Sequence, residues 1–266
     1  MTTLYPPANQ LKILQERKLR EILEYVAQNS PFYRELFKDR RIDIASIRTL
    51  EDLTRIPTTG KADLQTRNSD FLCVGREKIA EYMATSGTLG SPVTVALTEK
   101  DLERLAYNEY NSFLCADGSA DETYQLMLTL DRQFMAGIAY YSGLRRLGAG
   151  IIRVGPGVPA LQWETIQRLK PTVLVVVPSF LLKLIRYAQD RRIDLGSSSV
   201  KKAICIGENI RNQDFSLNIL GRKITEAWNI KLYSTYASTE MQTAFTECGA
   251  GQGGHLQPEL LIVELL

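Results

Sequence analysis

The chain has 266 residues, 44% of them hydrophobic and 23% charged, which suffices for a sizeable core in one large domain or two small ones. Its formal net charge is +2 with acids and bases interspersed, and no basic stripe interleaved with aromatics appears, which argues against a nucleic-acid partner. MTTLYPPANQ lacks the regions of a secretory signal, and the longest apolar run, TVLVVVPSFLL at 172–182, is too short for a bilayer and contains a proline. Four scattered cysteines (Cys73, Cys115, Cys205, Cys248) are not a disulfide framework, so a soluble cytoplasmic protein without a membrane partner is expected.

The first eighty residues read as a helical leader. From Asn9, a plausible N-cap, apolar residues recur at Leu11, Leu14, Leu19, Ile22, Leu23 and Val26, a stripe ending near Asn29. Ser30-Pro31 opens a short helix, SPFYRELF, with proline in its first turn. Thr49 is placed to cap LEDL, and Gly60-Lys61-Ala62-Asp63 opens another turn.

A loop rich in hydroxyls follows: Thr85-Ser86-Gly87-Thr88-Leu89-Gly90-Ser91-Pro92. Taken alone it is either a tight turn, for local steric reasons, or a cradle of hydroxyl and backbone donors around an anion. From residue 123 the pattern becomes strand-like runs at 123–130, 148–154, 171–177, 200–206 and 229–235, with helical periodicity in most of the intervals. Strands alternating with helices argue for an α/β fold with a parallel sheet over residues 81–266. In such sheets ligands sit beyond the carboxyl ends of the strands. There the sequence places Asp131-Arg132-Gln133-Phe134, Gly155-Pro156-Gly157, Pro178-Ser179, Gly207-Glu208-Asn209 and Tyr236-Ala237-Ser238-Thr239-Glu240. This convergence favours the anion cradle. The ending ELLIVELL at 259–266 has the character of a buried strand that stops abruptly, as in a chain cut inside a fold.

Several familiar motifs fail. Gly249-Ala250-Gly251-Gln252-Gly253-Gly254 spells GxGxxG, yet neither a good strand before it nor a helix start after it is present. GxxxxGK[ST] and GxSxG are absent, and one histidine leaves little for a Ser-His-Asp hydrolase.

Together, the hydroxyl loop, the Gly-Glu pair after one strand and the Tyr-x-x-Thr-Glu segment after the next resemble the adenylate-forming (acyl-activating) superfamily, and within it the phenylacetate–coenzyme A ligase family. The likeness covers nearly the whole chain, including NSPFYREL, ATSGTLGSPVTVALTEKDL, ICIGENI and LYSTYASTE. It implies that Thr85, Ser86, Gly87, Thr88 and Gly90 hold ATP phosphates, and that Gly207, Glu208 and Asn209 line the adenine pocket with Tyr236 stacked on base or sugar. Thr239 would touch the α-phosphate and Glu240 would hold Mg²⁺, for which carboxylate oxygen is a suitable hard ligand. Ser91 stands where such proteins commonly carry lysine.

Phe134, Gly137, Tyr140 and Ala237 are candidates to line an acyl pocket, because an aromatic acid needs flat apolar walls and small residues for clearance. The same residues read equally well as core packing. Cys248 and His255 form Cys-x6-His, by itself no zinc site; the resemblance implies half of one, completed by a later Cys-x-Cys that this chain lacks. A ribose-binding Asp, a hinge and a small C-terminal domain with a catalytic lysine would lie beyond residue 266.

The activity implied is ATP-dependent activation of a small carboxylic acid through an acyl-adenylate (ATP in, AMP out), followed by transfer to coenzyme A. Alternatives are a non-catalytic nucleotide- or acyl-binding module, and an adenylating ligase with an amine or hydroxyl acceptor. The oligomeric state is not legible.

Overall fold

The computed structural model describes residues 7–85 and 92–264. Contacts divide the chain into two units, one of residues 1–100 with 258–266 and one of residues 101–257.

In the first unit, helix α1 (Ala8–Asn29) buries Leu19 and Leu23, four residues apart on one face, against Phe37 and Ile47. It begins one residue ahead of Asn9, whose Oδ1 accepts from the Gln10 N–H instead of capping the helix. Helix α2 (Pro31–Asp39) is capped as its sequence suggests, with the Ser30 hydroxyl accepting from the Tyr33 N–H. Thr49 does not cap the turn Glu51–Arg55. The Asp52 carboxylate instead accepts from the N–H groups of Arg48 and Thr49 and from the Thr49 hydroxyl, which is thereby used as a donor. Helix α3 (Lys61–Thr66) follows, with Asp63 Oδ2 accepting from the Gly60 N–H. Strands β1 (Glu81–Ala84) and β2 (Thr94–Leu97) pair antiparallel on either side of the hydroxyl-rich loop.

Residues 259–264 are not the strand expected of them. A strand needs a ladder partner. Here the Pro258 and Glu259 carbonyls accept from the side chains of Gln15 and Lys18 at 2.8 and 2.9 Å, and Ile262 packs on the α1 cluster.

The second unit is an α/β sandwich. Its helices are α4 (Glu99–Cys115), α5 (Met135–Leu147), α6 (Pro159–Leu169), α7 (Pro178–Asp190) and α8 (Ile219–Ala227). Strands β3 (Thr123–Leu126), β4 (Gly150–Arg153), β5 (Val173–Val176), β6 (Lys202–Cys205), β7 (Lys231–Ser238), β8 (Thr243–Glu247) and β9 (Gly254–His255) form one sheet in the order β4-β3-β5-β6-β7-β8-β9. All five strands expected from the sequence are present and mutually parallel, with β8 and β9 added antiparallel at one edge.

β5 is buried along its whole length, and its residues alternate between two cores. Leu174 and Val176 pack with Trp163, Leu181, Leu184, Ile224 and Trp228. Val173 and Val175 pack with Phe113, Tyr124, Tyr140, Leu144 and Tyr233 on the other face. A strand covered on both faces needs continuous apolar character, which is what VLVV supplies.

From β3 the chain steps outward to β4, then back across to β5, so the direction of winding reverses between β3 and β5. That switch places a crevice beyond the carboxyl ends of the strands. The opposite edge is closed by ion pairs and hydrogen bonds. Lys202 Nζ donates to the Asp117 carbonyl (2.6 Å) and pairs with Glu122 (2.9 Å), while Lys231 and the Tyr233 hydroxyl both reach the Asp117 carboxylate.

Leu174→Ala should remove about 2–5 kcal/mol of unfolding free energy by leaving a cavity between the two helical layers, measured as a fall in urea midpoint at constant slope.

Candidate functional site

Five segments reach the carboxyl edge of the second unit's sheet. After β3, Arg132 and Gln133 both adopt left-handed backbone at φ 59°, a conformation that costs energy for residues with a Cβ. Two successive strained residues at the switch point form a feature that the sequence does not advertise. After β4, the Gln162 amide donates to the carbonyls of Gly155 (2.8 Å) and Gly157 (3.0 Å) and accepts from Gln125 Nε2 at 2.7 Å, so a buried amide pair holds that loop.

After β5 and β6, two loops are joined directly. Glu208 Oε2 accepts from the Ser179 N–H at 2.7 Å, at the amino end of α7. The open N–H groups and dipole of a helix start favour a carboxylate there. Gly207, just before it, has φ 73°, and a Cβ there would meet nothing within 4 Å, so backbone conformation and not crowding calls for glycine. Asn209 is engaged locally: its amide accepts from the Arg211 N–H and donates to the Arg211 carbonyl.

Arg211 in turn forms a two-pronged pair with the buried Glu247 of β8, at 2.5 and 3.0 Å. The Ser234 N–H of β7 donates to the same carboxylate at 3.0 Å. One buried acid therefore ties the loop after β6 to both β7 and β8.

The last segment is the β7–β8 hairpin. Tyr236 stands 67% exposed with its ring 6.1 Å from that of Phe245, an open aromatic face. Ala237 is exposed on the opposite face of the strand, on the side where Thr235 and Tyr233 are buried. Thr239 and Glu240 occupy the turn, which closes through hydrogen bonds from Gln242 N–H to the Ser238 carbonyl and from Met241 N–H to the Ser238 hydroxyl.

The second unit thus brings Gly207, Glu208, Asn209, Tyr236, Ala237, Thr239 and Glu240 to one edge of one sheet. Thr85 belongs to the first unit. Its backbone N–H donates to the Val93 carbonyl, and its hydroxyl accepts from the Val93 N–H at 2.9 Å, closing the base of the loop. Ser86, Gly87, Thr88, Gly90 and Ser91 lie outside the described residues.

Of the residues considered for an acyl pocket, Phe134 is exposed at the start of α5. Gly137 lets α5 approach the chain after β3, since a Cβ there would lie 2.1 Å from the Thr129 carbonyl oxygen. Tyr140 is buried in the core beside Phe113, and burial raises its phenol well above the ordinary value.

Next to Tyr140 lies an acid that the sequence reading passes over. Glu109 of α4 is 4% exposed; its Oε1 accepts from Asn108 Nδ2 at 3.1 Å and its Oε2 has no partner. Loss of hydration raises its carboxyl to about 8, only partly offset by the Asn108 hydrogen bond. Asn108 Oδ1 accepts from the Thr243 hydroxyl at 2.6 Å. The periodicity of α4 could have flagged these residues, because Leu105, Asn108, Ser112 and Cys115 share its buried face.

His255 of β9 pairs with Thr246 of β8, and Cys248 follows directly after the end of β8. Among the described residues no three His, Cys, Asp or Glu groups gather as a metal site.

Two outcomes on stability follow. Arg211→Ala should cost about 3 kcal/mol or more in urea unfolding, because it strands the buried Glu247 carboxylate. Glu109 keeps its proton in the folded state while the unfolded chain ionises near the ordinary carboxylate value. The native state therefore loses stability as pH rises between about 4.5 and 8. Glu109→Gln should remove that dependence, giving a gap over wild type that grows to roughly 4 kcal/mol by pH 8 and is absent at pH 4, measured by urea titrations across pH.

The model of a protein family described as AMP-binding enzyme matches residues 7–259. A phenylacetate-coenzyme A ligase of Thermus thermophilus is 28% identical over 264 residues, covering 98% of this chain and 58% of that protein. One from Escherichia coli is 30% identical over 178 residues, covering 66% of this chain and 40% of that protein. The chain spans roughly half the length of the relatives it matches, between 40% and 58%. Among solved structures, a 2-hydroxyisobutyryl-CoA ligase in complex with 2-HIB-AMP and CoA superimposes with a TM-score of 0.80 at 22% identity, over 91% of this chain and 52% of that one. That likeness confirms the α/β fold expected from the strand–helix alternation.

Proposed function

The chain belongs to the AMP-binding enzyme family, and from that premise we propose that it carries the nucleotide- and acyl-binding part of an acid–thiol ligase. The reaction is activation of a carboxylic acid by ATP, with an acyl-adenylate intermediate and coenzyme A as acceptor. The observation that carries this reading is the gathering of Gly207–Asn209 and Tyr236–Glu240 on the carboxyl edge of one parallel sheet, in the order the resemblance requires. The phenylacetate-coenzyme A ligases among its relatives, and a structural neighbour holding an adenylate and CoA, support it.

Tyr236 offers an exposed ring for the adenine or ribose to stack on, and Gly207, Glu208 and Asn209 line the adenine pocket from the loop after β6. Thr239 donates to the α-phosphate. Glu240 is an exposed carboxylate on a tight turn, a donor set that fits Mg²⁺, which would neutralise phosphate charge as pyrophosphate departs. The hydroxyl loop, from Thr85 through Ser86, Gly87, Thr88 and Gly90, holds the remaining phosphates. The acid's own carboxylate is the nucleophile, so the protein supplies placement and charge.

The acid is an aryl acid of the phenylacetate class, with Ala237 and Phe134 bordering its ring. Gly137 and Tyr140 shape that pocket from within the core. Cys248 and His255 would be two of the four ligands of a structural zinc site, one half of such a site. A nucleotide- or acyl-binding module without catalysis is the second reading, favoured by Ser91 at the position where lysine is expected.

Carboxylate-dependent ATP–pyrophosphate exchange by the full-length gene product separates the two. Phenylacetate should support exchange, and Glu240→Ala should reduce it roughly 100-fold or more. Binding of ATP without exchange, across aryl and short acyl acids, would establish the module instead.

A further inference from the structure

Helix α4 touches the β7–β8 hairpin at two points one helical turn apart. Arg104 Nη2 donates to Gln242 Oε1 at 2.8 Å, and Asn108 Oδ1 accepts from the Thr243 hydroxyl at 2.6 Å. Gln242 and Thr243 are consecutive, the first in left-handed backbone at φ 53° closing the turn, the second pairing across the ladder with Ser238. Fixing these two residues fixes both ends of the turn that presents Thr239 and Glu240.

Asn108 is fully buried, and packing alone would favour an apolar residue there. Both ends of its amide are engaged, since Nδ2 donates to Glu109 Oε1 at 3.1 Å while Oδ1 receives Thr243. The acid therefore sets the orientation of the amide, and the amide holds the hairpin. A buried polar chain of this kind enforces one arrangement, because slippage leaves donors and acceptors without partners in a medium of low polarity.

We propose that Arg104, Asn108 and Glu109 of α4 are positioning residues that hold the β7–β8 turn, and with it Thr239 and Glu240, in the conformation used for adenylate formation. This rests on the function proposed above. The groups facing Glu109 are Asn108 on its own helix and the Tyr140 phenol from α5, which is hydrogen-bonded to Thr235 of β7.

Thr243→Val removes the hydroxyl and keeps the volume, and Thr243→Ser keeps the hydroxyl. In amide hydrogen exchange on the 266-residue chain, Thr243→Val should speed exchange of residues 236–243 roughly tenfold while β3 to β6 stay at wild-type rates, with Thr243→Ser close to wild type. Unchanged exchange in the hairpin, or acceleration spread evenly over all strands as a packing defect would give, overturns the proposal. If Thr243→Val does not fold, Arg104→Met is read by the same criterion over residues 239–242. In full-length protein, Thr243→Val should lower kcat for ATP–pyrophosphate exchange about tenfold with the KM for the acid unchanged, and Thr243→Ser should restore it. A loosened hairpin with unaltered kcat also overturns it. Wild-type protein without exchange activity counts against the ligase reading, while hydrogen exchange still decides whether α4 holds the hairpin.

Discussion

Burial of β5 and β6 on both faces is the constraint on which the rest depends. Two strands that present no residue to solvent must be covered by helices above and below. Helices can cover both faces only if the chain crosses back between parallel strands, and each crossover brings the next strand in with the same polarity. Every strand of the parallel set then ends at the same edge. A site assembled from loops distant in sequence, such as 207–209 and 236–240, follows from a requirement of the core.

The two ends of that sheet are treated differently. At the amino edge, Asp117, Glu122, Lys202 and Lys231 neutralise one another, and the Tyr233 hydroxyl rests on Asp117. At the carboxyl edge the loops carry strained backbone at Arg132 and Gln133, an exposed aromatic ring at Tyr236 and an exposed carboxylate at Glu240. Strain and unpartnered polar groups cost stability, and they persist where the surrounding structure determines them. Elsewhere on this edge, the buried pair Arg211–Glu247 holds the β6 loop and the Asn108–Glu109 chain holds the β7–β8 turn, where Gln242 is also in left-handed backbone.

Glu109 illustrates how a buried acid reaches an exposed hairpin through one amide. Its carboxyl holds a proton because water is excluded, and a neutral acid can accept from the Asn108 amide without the cost of a buried charge. That amide in turn anchors Thr243 of β8. The exposed hairpin is thus tied by hydrogen bonds to groups buried in the core.

The sequence by itself determined the class of fold and the positions of the strands, because short β-rich apolar runs such as VLVV alternate with longer segments of helical period. It also located the segments that reach the carboxyl edge, since turn residues and strand ends are local signals. Only the tertiary structure decided which polar residues serve the edge and which serve the core. Tyr140 and Gly137 carry the composition of a pocket wall, yet helix packing draws both inward. Glu109, Arg211 and Glu247 look like ordinary surface charges in the sequence, yet a buried location turns one into a neutral acid and two into a tie between loops. Residues 259–264 have the apolar run of a strand, yet they join no ladder among the described residues, and the segment is held along α1 instead. Pairing and burial are relations between distant segments, and no local pattern of residues encodes them.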